Sequence, residues 1–142
     1  MGPHLPPNRR DWLQATISGI GAAVALVLWP ASRAHAKKVG IKLAQLAGVH
    51  EVGGAQALKI KGQDVLLVRE SQTVVRAVNP MCTHKKCQVR YNNDTKKLHC
   101  KCHKSQFELS GKVLGGPAKK DLATYPAVLT EQQVILTLPD GG

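Results

Sequence analysis

The chain has 142 residues, which is enough for one compact domain and one additional segment. Its 20 lysines and arginines against 9 aspartates and glutamates give a net charge of +11, which favours acidic partners or anionic lipid. Aromatic residues make up 4% of the sequence, and neither an RNA-binding signature nor a DNA-recognition helix is present. We therefore expect no nucleic-acid binding.

The first predicted element is an apolar segment that follows Arg9 and Arg10. Residues 12–32 contain no charged side chain, and the 19 residues from 12 to 30 would span about 28 Å as a helix, close to the thickness of a bilayer core. Paired arginines before an apolar run resemble a twin-arginine export signal. Cleavage after Ala34-His35-Ala36 would release a soluble protein. We expect the alternative, in which residues 1–36 stay as a single-pass anchor.

Residues 31–40 are small and polar and predict a hinge linker that overlaps the end of the anchor. The alternative is a continuation of the apolar helix, because alanine is the strongest helix former. The linker leads to a domain predicted over residues 41–142.

Short apolar runs throughout that domain predict a mainly β fold with antiparallel sheets. Alternation begins at Ile41, and residues 73–78 are another β-branched run. Pairs of runs around turn residues predict hairpins. These pairs are 57–60 with 65–68, 107–109 with 112–114, and 128–129 with 134–138.

All four cysteines lie in two short runs that each contain one histidine. The runs are residues 82–87 (Cys-Thr-His-Lys-Lys-Cys) and residues 100–105 (Cys-Lys-Cys-His-Lys-Ser). Thiolates and imidazoles together form a metal-ligand set. Three interpretations are open: structural zinc, although zinc fingers usually begin with a wider cysteine pair; two disulfides, which leave both histidines without a role; and a two-iron cluster.

The two runs resemble the Rieske iron–sulfur family, whose pattern is Cys-x-His, a spacer of about fifteen residues, and Cys-x-x-His. The resemblance covers about residues 74–128. It implies a Rieske-type antiparallel β domain with a two-loop cluster-binding subdomain. It also implies that Ser105 hydrogen-bonds a bridging sulfide and that residues 115–118 (Gly-Gly-Pro-Ala) cover the cluster. The implied ligands of the [2Fe-2S] cluster are Cys82, His84, Cys100 and His103, and the implied disulfide joins Cys87 and Cys102.

The additional disulfide matches the form of the family found in quinol-oxidising complexes. The resemblance implies an electron-transfer subunit, not a catalyst alone, in a dimeric, multi-subunit bc-type complex of the inner or thylakoid membrane. It would take one electron and a proton from quinol at cytochrome b, through His84 and His103, and pass the electron to a c-type cytochrome (c1 or f-like). Its Rieske domain would lie on the periplasmic or lumenal side. The alternative is the Rieske small subunit of an arsenite oxidase-like molybdenum enzyme.

The sequence departs from the family pattern beside the predicted ligands. Lys85 and Lys86 replace an apolar residue and a glycine, Lys101 replaces a proline, and Lys104 replaces a glycine. The lysines form either a solvated basic face or a docking surface for an acidic partner. Phe107 stands where higher-potential members carry a tyrosine that donates a hydrogen bond to a cluster sulfur.

Overall fold

Residues 36–139 are the part of the chain that the structure, a computed structural model, describes. Within this part, no helix has both the length and the apolar character that crossing a bilayer requires. The predicted export signal and anchor lie outside the described residues, apart from Ala36.

The described residues form eleven β-strands arranged in three antiparallel sheets. Two single turns of 3-10 helix, Leu43–Gln45 and Ala47–Val49, follow the first strand. The strands are β1 (Ala36–Lys42), β2 (Ala55–Ile60), β3 (Gln63–Arg69), β4 (Val75–Val78), β5 (Val89–Asn92), β6 (Lys97–Cys100), β7 (Gln106–Phe107), β8 (Val113–Gly115), β9 (Thr124–Tyr125), β10 (Ala127–Leu129) and β11 (Gln133–Pro139).

Two sheets form the base of the domain, in the orders β1-β11-β10 and β2-β3-β4-β9. Strand β3 is buried on both faces, which explains its unbroken apolar run. Val65 and Leu67 pack into one core with the buried side chains of β11, whereas Leu66 and Val68 face a second core. Strand β3 therefore connects the base to the rest of the domain.

The third sheet, in the order β5-β6-β7-β8, contributes to that second core. Val89, Leu98 and Phe107 are at most 1% exposed and belong to the same buried group as Leu66 and Val68. Burying an aliphatic or aromatic side chain of this size stabilises the fold by about 1.5–3 kcal/mol. The third sheet is thus fixed to the base through β3.

The prediction of a mainly β, antiparallel fold is confirmed, and each predicted hairpin is present: β2 pairs with β3, β7 with β8, and β10 with β11. The linker prediction is wrong over residues 36–40. These residues belong to β1 and pair with β11, from Ala36 opposite Pro139 to Gly40 opposite Ile135. The hydrogen bonds between β1 and β11 fix these residues, so they form neither a hinge nor a helical extension. The β domain therefore begins before residue 41.

Candidate metal centre

The two cysteine-containing runs are loops at the same edge of the third sheet. The first loop (residues 82–87) leads into β5, and the second loop (residues 100–105) follows from the end of β6. Because β5 and β6 are antiparallel, the start of one strand lies beside the end of the other, and Val89 is opposite Cys100. The β5–β6 hairpin therefore brings the two loops together.

Both loops have the same backbone hydrogen bonds. In the first loop, the Lys86 N–H donates to the Cys82 carbonyl (2.9 Å), and the Cys82 N–H donates to the Cys87 carbonyl (2.8 Å). The equivalent bonds in the second loop run from Lys104 to Cys100 (3.0 Å) and from Cys100 to Ser105 (2.8 Å). Each loop thus presents its first cysteine in the same conformation.

This shared turn requires a left-handed residue at one position. Lys86 and Lys104 both have φ of 59°. A residue with a side chain costs about 1 kcal/mol or more in this region, whereas glycine adopts it freely. The geometry explains why the family pattern has glycine at these two positions.

The predicted ligands lie on these loops. Cys82 and Cys100 are 0% and 1% exposed, and both are free thiols. The rings of His84 and His103 meet edge to face, with 4.7 Å between centroids and 89° between planes. His84 is half-buried and His103 is exposed. The loops therefore combine two buried sulfurs with an imidazole pair that is accessible from solvent.

His84 provides the observation that tests whether a metal group fits. Its Nδ1 is the single buried side-chain nitrogen or oxygen without a hydrogen-bond partner in the described part of the chain. Leaving such an atom unpaired costs about 1–3 kcal/mol, and a ligand bond removes the deficit. Burial lowers the pKa of the His84 ring, and nearby His103 and Lys85 lower it further. A neutral imidazole is the form that binds metal.

Cys87 and Cys102 form a disulfide between the two loops, with Cα atoms 6.4 Å apart, and this confirms the predicted pairing. The sulfurs of Cys87, Cys100 and Cys102 all lie within 4.8 Å of one another. Proximity alone would make them a three-sulfur metal site, but two of them are bonded to each other and carry no thiolate. Cys100 is thus the member of this group whose thiol is free to bind a metal.

A third loop, residues 115–120, packs against the other two. Ser105 is fully buried, and its Oγ accepts a hydrogen bond from the Ala118 N–H at 3.1 Å. A hydroxyl that accepts one hydrogen bond can still donate its hydrogen, so the Ser105 hydroxyl can donate to a bridging sulfide at the same time. A Cβ on Gly116 would lie 2.6 Å from the Ser105 Cα, and the φ of Gly116 is +89°. Glycine is therefore required for this close approach.

Sequence reasoning missed two sets of contacts that hold the loops. The Thr83 Oγ1 donates to the Lys120 carbonyl at 2.6 Å, across 37 residues of sequence. The Tyr125 hydroxyl accepts from Asn79 Nδ2 (3.2 Å), and Asn79 Oδ1 accepts from the Met81 N–H (2.9 Å). Residues that approach from distant positions carry no local sequence signal. The Asn79 contact positions the chain just before the first loop.

His99, which precedes Cys100, is no ligand in our prediction. It lies in β6, and its Nε2 is 3.0 Å from the Thr95 Oγ1.

The model of the Rieske [2Fe-2S] domain family matches residues 42–126. The chain belongs to the Rieske family. Cytochrome b6-f complex iron-sulfur subunit 1 of Nostoc sp. strain PCC 7120 is 36% identical over 91 residues, 62% of this chain and 51% of that protein. The subunit from Synechococcus elongatus strain PCC 7942 is 34% identical over 100 residues, 68% of this chain and 56% of that protein. This Rieske chain thus spans about half the length of the curated relatives it matches.

Solved Rieske structures share the fold. The plasma membrane Rieske protein PetC3 of Synechocystis PCC 6803 is 33% identical with a TM-score of 0.57, covering 70% of this chain and 97% of that one. The ferredoxin of carbazole 1,9a-dioxygenase from Nocardioides aromaticivorans, 20% identical with a TM-score of 0.58, covers 74% of this chain and 98% of that one and shows the fold alone. Family membership confirms the predicted [2Fe-2S] cofactor in place of zinc. The assignment of individual ligands stays a prediction.

Proposed function

We propose that this chain is the Rieske electron-transfer subunit of a membrane bc-type complex. It takes one electron and one proton from quinol at cytochrome b and passes the electron to a c-type cytochrome. The observation that carries the proposal is the solvent-accessible pair of His84 and His103 on two loops joined by the Cys87–Cys102 disulfide. The curated relatives, which are named as cytochrome b6-f subunits, support the same role.

The chemistry divides among the residues of the loops. When bound, a [2Fe-2S] cluster supplies one-electron redox chemistry. Cys82 and Cys100 would hold one iron through their buried sulfurs, and His84 and His103 the other. The buried Nδ1 of His84 is the atom offered to iron, which leaves Nε2 to hold or release a proton.

His103 is the exposed member of the pair, so its free ring nitrogen is the one that we place nearest the quinol hydroxyl. Quinol oxidation releases a proton with each electron, and this imidazole accepts the proton. The disulfide holds the two loops together, and the third loop covers Ser105, so that water is excluded from the sulfur side of the site. Proton exchange is thereby confined to the histidine side.

The proposal also covers the part of the chain before the domain. Residues 1–35 would anchor the protein, and within them residues 31–35 would allow the domain to move between its partners. The domain would lie on the periplasmic or lumenal side of an inner or thylakoid membrane. The apolar length of residues 12–30 supports this arrangement, as does the membrane location in the name of PetC3. We propose assembly into a dimeric, multi-subunit complex.

Affinity purification of the tagged full chain from solubilised membranes tests the function. We expect b-type and c-type haem absorbance in the purified complex, with haem reduction on addition of quinol. A Cys82→Ser variant should abolish quinol-dependent reduction of the c-type haem. Molybdenum in place of b-type haem would instead indicate the arsenite oxidase-like alternative and contradict the proposal.

A further inference from the structure

The lysines of the third sheet concentrate on the three loops around the metal centre. The first and second loops carry four lysines and no acidic residue, and residues 115–120 of the third loop add two more lysines. All six side chains are exposed. The two ion pairs in the described part of the chain, Lys59–Asp64 and Arg76–Glu70, lie elsewhere. These six lysines, which we call the lysine collar, are Lys85, Lys86, Lys101, Lys104, Lys119 and Lys120.

The collar is built around the two histidines. Lys85 directly follows His84, and Lys104 directly follows His103. The Thr83 bond to the Lys120 carbonyl holds the third loop beside the first. A partner that contacts Lys85 and Lys104 therefore lies beside the imidazole pair.

Two collar positions retain lysine at an energetic cost. Lys86 and Lys104 occupy the left-handed turns, where glycine would fit without strain. A lysine ammonium also cannot enter an apolar pocket without a counter-charge, because desolvating an unpaired ion is costly.

We propose that the lysine collar docks this domain, through its histidine tip, onto a carboxylate-rich face of a protein redox partner. The inference rests on the proposed electron-transfer function and adds the chemistry of the partner's surface. An acidic protein face neutralises the collar and places its own redox group over the imidazoles. An anionic lipid surface would neutralise the same charges but would bury the electron-exchange site against molecules that carry no electron.

Clustered surface charge of this kind acts mainly on the rate at which two proteins associate. A concentrated positive field raises the encounter rate with an acidic partner about 10- to 1,000-fold at low salt. The effect fades as the ionic strength rises, since the screening length is about 10 Å at 0.1 M salt. A local lysine cluster also differs from positive charge spread over the whole protein. If the collar is the docking surface, replacing its lysines weakens anion binding more than replacing lysines elsewhere does.

The test compares two triple variants of the full-length holoprotein that change the net charge equally. The tip variant carries Lys85→Glu, Lys101→Glu and Lys119→Glu, none of which occupies a left-handed turn. The control variant carries Lys37→Glu, Lys38→Glu and Lys42→Glu, all exposed residues of β1 in another sheet.

The probes are poly-L-glutamate, for binding, and hexacyanoferrate(III), an anionic oxidant of the reduced protein. We expect wild-type binding of poly-L-glutamate to weaken with salt and to inhibit oxidation by hexacyanoferrate. The tip variant should bind at least about tenfold more weakly, and the control variant less than about threefold. Midpoint potentials of the three proteins are measured first, so that a change in driving force is not mistaken for a change in docking.

Equal losses in the two variants would overturn the proposal, because net charge alone would then explain binding. The proposal would also be overturned if phosphatidylglycerol vesicles bound through the collar while poly-L-glutamate left the rate of oxidation unchanged. That result would indicate a membrane-facing surface. These outcomes are separate from the test of the proposed function. A complex without b-type haem would contradict that function and leave the collar measurements standing.

Discussion

Replacing Ser105 with alanine separates the two roles assigned to its hydroxyl. The Oγ accepts the Ala118 N–H, which ties the third loop to the second, and it is predicted to donate its hydrogen to a bridging sulfide. Ser105→Ala removes both contacts and changes little else, because the side chain is 0% exposed and alanine fits in the same space.

The expected loss of stability follows from the burial of Ala118. Ala118 is 3% exposed, so its N–H would be left without a partner in a dry environment. An unsatisfied buried donor costs about 1–3 kcal/mol. In a domain of about 100 residues, a loss near 2 kcal/mol lowers the melting temperature by about 10 °C. If the hydrogen bond from Ser105 to the cluster is about 1 kcal/mol stronger in the reduced state than in the oxidised state, its loss lowers the midpoint potential by about 40 mV.

Two assays measure the two effects. Thermal unfolding followed by far-UV circular dichroism, at one fixed scan rate, measures the stability change. A redox titration monitored by electron paramagnetic resonance measures the midpoint potential. Ser110→Ala is the control, because Ser110 is exposed and its hydroxyl donates to Glu108 in the β7–β8 turn at 2.9 Å. We expect the control to change the free energy of unfolding by less than about 0.5 kcal/mol and to leave the potential unchanged.

The two readouts refute different parts of the reasoning. A normal melting temperature in Ser105→Ala would show that the Ala118 bond contributes no stability. An unchanged potential with a lower melting temperature would leave the packing role intact and exclude the hydrogen bond to the sulfide.

Three further substitutions test the loop geometry and the electronic environment. Lys104→Gly should stabilise the protein by about 0.5–1 kcal/mol by relieving the left-handed turn, whereas Lys101→Gly should not, and denaturant unfolding measures both. Gly116→Ala should lower the melting temperature because its Cβ would meet the Ser105 backbone, whereas Gly115→Ala, with open space around its Cβ, should leave it unchanged. Phe107→Tyr should raise the midpoint potential by about 40 mV, since its hydroxyl can donate to a cluster sulfur, and a redox titration without a rise would contradict this.

The predictable parts of the fold are those that local sequence determines. Hairpins β2–β3 and β7–β8 were predictable because Gly62 and Gly111 adopt positive φ between apolar runs. Hairpin β10–β11 was predictable because apolar runs flank the polar pair Glu131-Gln132. Strands β5 and β6 were missed because they are short and carry charged residues. The turn between them was the available signal, since Asn92 Oδ1 accepts the N–H groups of Asp94 (2.9 Å) and Thr95 (3.1 Å).

Residues 36–40 show the opposite case. Nothing in a short alanine- and lysine-containing segment predicts a strand, because its partner is β11, near the other end of the chain. Pairing with a distant strand overrides local helix propensity. The beginning of the domain could therefore be located only from the tertiary structure.

The family of the site was predictable from the chemistry and spacing of its cysteines and histidines, and the contacts that hold its loops were not. The arrangement of cysteines and histidines indicated the family, and the resemblance implied the Cys87–Cys102 disulfide, which the structure confirms. The bonds of Thr83 to Lys120 and of Ala118 to Ser105 join different loops and leave no trace in the sequence pattern. These two hydrogen bonds explain how the three loops are held together.

Pulsed electron paramagnetic resonance of the reduced protein labelled with ¹⁵N-histidine tests the central claim most directly. The claim is that Cys82, Cys100, His84 and His103 bind one [2Fe-2S] cluster. It predicts coupling to two histidine nitrogens in the wild type, a normal spectrum in His99→Gln, and loss of that spectrum in His103→Ala. A reduced cluster without histidine coupling, or one that persists unaltered in His103→Ala, would contradict the ligand assignment.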